Sequence, residues 1–315
     1  MLEQLQDIKN KSNLYKKEHK TFEEQLELLK QKGLIVFNEQ YALTKLKHIN
    51  YYRLSAYFLP FQHKKDDLEN RDKFLPNTAF EDIIQLYTFD TELRKIIFEA
   101  IESIEVYFRT QIAYYHSSSF GAFGYLNIDN LRSNLNQEFY ELQQDILKEK
   151  ERSKEVFIKH FKKKYNSSDL PVWSVVEIIS FGSLSKFFML LKEEEQNSSI
   201  EEIIGINKYV FFKWFKALSS VRNACAHHSR LWNRTLGISF EVPKKNLYFK
   251  GMGNSKNKIF FALSVIKFIL ISVGDNEDCF ENKIRVLLNK YPNIDLNAMG
   301  FPNDWEELEL WKISN

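Results

Sequence analysis

The sequence predicts an all-α protein, a helical bundle with helical extensions at both ends, on three grounds. Only 10 glycines and 6 prolines occur in 315 residues, less than half of the roughly 12% share usual for these turn formers. Apolar residues recur at helical spacing over long stretches, most clearly over 83–112. Helix-start signatures precede several of those stretches. With 44% hydrophobic residues the chain can fill a sizeable core.

Over 21–33, Phe22, Leu26, Leu28 and Leu29 mark a short amphipathic helix, which Gly33 ends as a C-cap. A second helix starts near Glu39. The stretch 48–58, HINYYRLSAYF, is dense in aromatics that serve either the core or a base-stacking surface. Core packing is favoured, because aromatic side chains usually serve burial. Residues 66–72 form a charged loop.

Thr78 with Glu81 makes a capping-box signature, and beyond it Ile83, Leu86, Leu93, Ile97, Ile101, Ile104, Phe108 and Ile112 describe one long helix. Glu102, Glu105, Arg109 and His116 share a narrow stripe on its other face, at offsets of three, four and seven. A solvated, salt-bridged face is the favoured account of that stripe. In the sharper account Glu105 and Arg109 turn toward a later cluster and orient it.

The segment 133–165 is strongly charged and ends in Lys159, His160, Lys162, Lys163 and Lys164, either a solvated helix end or a phosphate-binding edge. Asp169 and Pro171 open a helix through Trp173, Val176 and Ile179, and Gly182 with Ser183 marks a break and a new N-cap. A helix over about 208–234 follows, whose buried stripe runs through Trp214, Leu218, Val221, Cys225, His228 and Trp232. Lys244, Lys245, Lys250, Lys256 and Lys258 form the strongest basic run. Gly251, Gly253 and Asn254 make it a flexible loop, suited to an RNA backbone or simply soluble. Helices over 259–273 and 279–290 complete the order. The first is too short to cross a bilayer and contains Lys267, so it is a core helix. This order divides the chain into an N-terminal helical extension over 1–76, a central helical domain over 77–236, and a C-terminal basic loop and helical segment over 237–315.

Lys+Arg 44 against Asp+Glu 42 gives a net charge of only +2, so local patches rather than overall charge must argue for a nucleic-acid partner. Cys225 and Cys279 are the only cysteines. They have no paired spacing, and the Lys- and Glu-rich N-terminus carries no signal-peptide pattern, which together point to a reducing cytoplasm. HExxH, CxxC, GxSxG and P-loop spacings are all missing from the sequence. Neither a metal nor a cofactor is therefore expected.

The most distinctive stretch is RNACAHHSRLWNR over 222–234. Asn223 and His227 stack one helical turn apart, and Arg222 is long enough to reach round to them. His228 falls on the buried stripe, which makes it a hydrogen-bonded structural residue and leaves His227 as the catalytic choice. Metal-free RNA cleavage needs a base for the 2′-hydroxyl proton, an acid for the departing 5′-oxygen and positive charge at the phosphate. A histidine near its neutral-range pKa can serve either proton transfer, Arg222 can hold the phosphate, and Asn223 can orient phosphate or imidazole. A second His227, brought across a two-fold axis by a homodimer, supplies the other half. Arg230 and Arg234 extend the positive patch.

Arg222-Asn223 followed by three residues and His227 resembles the HEPN ribonuclease motif, and its flanks resemble the abortive-infection (Abi-like, AbiD/AbiF-type) family of bacterial phage-defence proteins. The likeness extends to NYYRLSAY at 50–57, IESIEVYFRTQIAYY at 101–115, PVWSVVEIISFGSLSKFF at 171–188 and MGFPNDWEELELW at 299–311. It implies a HEPN-like helical bundle and a metal-independent, toxin-like endoribonuclease, dimeric and associated with a noncoding RNA. Arg222, Asn223 and His227 are then the motif residues, with Glu105 as the acidic residue of the preceding HEPN helix. Arg109 and His116 mimic a second motif, but no Asn follows Arg109. The main rival is a non-catalytic defence protein that holds a structured RNA partner. A protein-interaction role, with the cluster as an antitoxin's target, is the third reading.

Overall fold

Helices make up the regular structure of the described residues in this computed structural model, which covers 18–312 apart from 65, 68, 166–168, 197–201, 253, 254, 276 and the side chains of 277–279. No strand occurs among those residues, and Ile35–Ala79 and Gln62–Phe74 are isolated bridges. The chain is all-α. Leu68 of the predicted charged loop, Gly253 and Asn254 of the basic loop, the N-terminal 17 residues and the Cys279 side chain lie outside the described residues.

The chain divides into two compact units, residues 1–88 and 89–315. In the first, Thr21 and Glu24 cap each other at the start of α1 (Phe22–Gln31), and Gly33 follows at φ +89, a left-handed position that favours glycine. Asn38 caps α2 (Glu39–His48), whose Ala42 and Leu46 are buried like Leu26 and Leu29 of α1. The aromatic-rich segment contains α3 (Tyr51–Ser55) and serves mainly the core. Tyr57 and Phe58 are buried, and Phe58 meets Tyr51 and Phe74 edge-on, whereas Tyr52 points outward.

Helix α4 (Phe80–Phe120) is the predicted long helix, and the boundary between the units falls within it. Its start differs from expectation. Asp82 accepts from the Ala79 N–H at 2.8 Å, while the Thr78 hydroxyl donates back to the Leu75 carbonyl. The predicted apolar stripe is buried throughout.

In the second unit α4 is followed by α5 (Asn136–Arg152), α6 (Val156–Tyr165), α7 (Val172–Ile178), α8 (Phe181–Leu190), two short turns α9 (Glu193–Gln196) and α10 (Glu202–Ile204), and α11 (Lys208–Ala226). Ser180, not Ser183, caps α8, so Gly182 lies inside that helix. Phe108 of α4 packs on Phe211 and Phe215 of α11, and Phe181 and Phe188 of α8 pack on the same two rings. This aromatic layer fixes α11 between α4 and α8. Helix α12 (Ile259–Ser272) is buried on nearly every side, as its largely apolar sequence requires. Lys267 is accommodated there by an ion pair to Glu281 of α13 (Glu277–Lys290) and by the Trp311 ring. Trp311 closes over α12: fully buried, it stacks on Phe260 and donates to the Ser264 hydroxyl at 2.9 Å.

Candidate active site

Helix α11 ends earlier than its periodicity predicts, and the end is built from the motif itself. His227 is the C-cap, His228 adopts φ +54, and the His228 and Ser229 N–H groups donate to the Cys225 and Ala224 carbonyls at 3.0 and 2.8 Å. These two bonds form a Schellman motif, in which a left-handed residue reverses the chain. Glycine normally takes that position, and without a Gly here the sequence reads as continuing helix. The expected burial of His228 is thereby corrected: it is exposed, off the stripe of Trp214, Leu218, Val221 and Cys225. Asn223 and His227 are exposed as well, and the His227 N–H donates to the Asn223 carbonyl at 3.0 Å.

The chain beyond the motif is held by a buried ion pair that the sequence did not single out. Asp90 is fully buried and pairs with Arg94 one turn along α4. Its carboxylate accepts from Leu231 N–H at 3.1 Å and Trp232 N–H at 2.7 Å, while Arg94 donates to the Ser229 carbonyl at 3.3 Å. Two charges out of water are tolerated because each is satisfied by the other and by main-chain groups. Beside them, burial pushes the Cys225 thiol up to about 12, opposed by Arg94 and reinforced by Asp90.

Arg222 is half-buried and reaches back toward α4. Its Nε lies 3.5 Å from Glu105, its guanidinium sits 6.0 Å from the Phe98 ring centre, and its Nη1 donates to Asn223 Oδ1 at 3.3 Å. Glu105 also pairs with Arg109, which donates to the Ile179 carbonyl at 2.9 Å. Glu105 and Arg109 are both buried, so the favoured expectation of a solvated stripe fails for them and for His116, while Glu102 remains exposed. One buried carboxylate is thus shared by two guanidiniums. Arg109 Nη1 is buried with no hydrogen-bond partner among the described residues. These groups line a cavity of about 220 Å³ together with Phe98, Glu102 and Val106.

The remaining expected residues are dispersed. His116 is fully buried and meets Glu195 at 3.0 Å, away from Arg222. Arg230 and Arg234 are half-buried in the turn after α11, and Arg234 donates to the Arg230 carbonyl at 3.4 Å. Lys244, Lys245, Lys250 and Lys256 are exposed, and Lys258 reaches the Ala298 carbonyl at 3.4 Å. Among the described residues no hydrogen bond or ion pair joins these lysines to Arg222, Asn223 or His227. Nor is their loop free at its base. Leu236 and Phe240 N–H groups donate to the Asn257 and Lys256 carbonyls, and Trp214 donates to the Glu241 carbonyl.

Asp90, Arg94 and Phe98 are the site residues the sequence reading missed. The signal was present: Asp90 follows Leu86 and precedes Leu93 and Ile97 in the apolar phase of the long helix. A charge there needs a buried partner. Among the described residues no three His, Cys, Asp or Glu side chains are grouped to share a metal ion, and no helix is long and apolar enough to cross a membrane.

A family model described as Abi-like protein matches residues 44–233, more than half of the chain and both helices of the site. No curated protein and no solved structure matches the chain.

Proposed function

The chain belongs to the Abi-like protein family, and we propose that it is a metal-independent endoribonuclease of abortive-infection phage defence. One observation carries this reading: Asn223 and His227 stand exposed where α11 ends, beside an Arg222 that is tethered to the buried Glu105. An imidazole, an amide and a cation thus lie within two turns of one accessible helix end.

In the reaction, a base removes the 2′-hydroxyl proton, the 2′-oxygen attacks phosphorus, and the 5′-oxygen leaves with a proton from an acid. The products are a 2′,3′-cyclic phosphate and a 5′-hydroxyl. His227 carries one proton, and His227 of a second copy carries the other in a homodimer. Arg222 neutralises charge on the non-bridging oxygens, and Asn223 holds the phosphate or the imidazole. Glu105 and Arg109 act as positioning residues for Arg222. The lysines after α11, with Arg230 and Arg234, bind the flanking RNA backbone, and a noncoding RNA occupies the same surface as a regulatory partner.

The test is cleavage of single-stranded RNA in EDTA with analysis of the new ends. Cyclic phosphate ends, lost in His227→Ala while RNA binding persists, support the proposal. Binding without cleavage by the wild-type protein supports the rival, a defence protein that only holds RNA. Undiminished cleavage by His227→Ala overturns the assignment.

A further inference from the structure

A second, larger cavity of about 580 Å³ opens beside Asn223 between α5, α8 and α11. Phe212, Lys216, Ser219 and Asn223, at steps of four, three and four, turn one face of α11 toward it. Its volume lies within the roughly 300–1,000 Å³ of small-molecule pockets.

Three polar groups of this cavity, Ser185, Ser219 and Lys216, are left open. Ser185 and Ser219 are only 3% and 6% exposed, line the cavity, and make no hydrogen bond through their hydroxyls among the described residues. Both hydroxyls are therefore available to a polar group of a ligand in the cavity. Lys216 on the rim is exposed and forms no ion pair among the described residues. Lys186, by contrast, is fixed between Glu141 at 3.0 Å and Asp145 at 3.3 Å, and Asp145 also accepts from Ser183 at 2.9 Å. That network ties α5 to α8 and makes the wall rigid. The half-buried Phe212 ring supplies an apolar surface among these polar groups.

We propose that this cavity binds one nucleoside of a single-stranded RNA, next to the phosphate that Asn223 and His227 engage. The proposal rests on the ribonuclease reading for its direction and extends it to a substrate subsite. Phe212 stacks on the base, the two serine hydroxyls meet its polar edge, and Lys216 takes the following phosphate. A protein ligand would not need this combination of ring, paired hydroxyls and rim cation so close to Asn223.

Gly182 offers a way to block the cavity. It lies within α8, and a Cβ there would meet Ser219 Oγ and Ser180 Oγ at 3.6 and 3.7 Å, ordinary contact distances. Gly182→Ala therefore folds and leaves the space open, whereas Gly182→Phe fills it. The probe is a short fluorescein-labelled 2′-fluoro RNA, which cannot be cut by 2′-oxygen attack, titrated at fixed salt and read by anisotropy. Gly182→Phe and Lys216→Glu are expected to weaken binding about tenfold, the scale of one lost base stack or phosphate contact, with Gly182→Ala unchanged. Binding by folded Gly182→Phe at the same affinity as Gly182→Ala overturns the subsite, as does a wild-type protein that does not bind the probe. Because the probe is uncleavable, failure of cleavage on ordinary RNA removes the ribonuclease reading without touching this result.

Discussion

His228 carries a left-handed backbone conformation that residues other than glycine adopt uncommonly, and it does so where α11 stops and His227 is exposed. Replacing it tests whether the side chain or only the turn matters. His228→Gly is expected to raise stability by about 1 kcal/mol through relief of left-handed strain, read by urea unfolding, with cleavage retained. Loss of cleavage in His228→Gly would instead give the imidazole a share in the chemistry. Three residues earlier, Cys225 is held protonated by burial, with a pKa raised from 9.0 to about 12. The folded state then binds the proton more tightly than the unfolded one. This contribution is complete below pH 9 and is lost as pH rises from 9 toward 12. In a Cys279→Ser background, iodoacetamide at pH 8 is expected to spare Cys225 until denaturant is added; rapid labelling of native protein would contradict that.

Between elements, the decisive connection is from α4 to the turn after α11, through Asp90 and Arg94. Asp90→Ala leaves a buried guanidinium and two main-chain N–H groups without their acceptor. The expected loss is about 3–5 kcal/mol, measured by denaturant midpoint, and a change under 1 kcal/mol would mean the turn is held otherwise. Much of this arrangement was legible in the residues. The stripes Ile97–Ile101–Ile104–Phe108 and Trp214–Leu218–Val221–Cys225 announced two packed helices. Arg222, Asn223 and His227 announced themselves by lying within two turns. The stop at Ala226 was not legible, because a histidine does the work that glycine usually signals. The burial of Glu105 and Arg109 was hidden by their polarity, since i,i+4 opposite charges look the same on a wet face as in a satisfied core. The cavity beside Asn223 depends on three helices distant in sequence, so no local pattern revealed it.

For the molecule as a whole, the proposed division of labour between two copies of His227 has an arithmetic signature. When wild-type and His227→Ala chains are co-expressed and assemble at random, only dimers with two intact histidines cut. Specific activity is expected to follow the square of the wild-type fraction, measured by cleavage against the ratio of chains. A linear fall would place the whole reaction within one chain. Trp311 has a different consequence at this scale. It closes over α12 from far downstream of the motif, and α12 in turn supports α11 through Phe268 and Trp214. Chains are made from the amino end, so His227 leaves the ribosome well before the residue that completes its support. In a growing chain α12, and through it α11, therefore gains its last packing partner only once Trp311 has emerged.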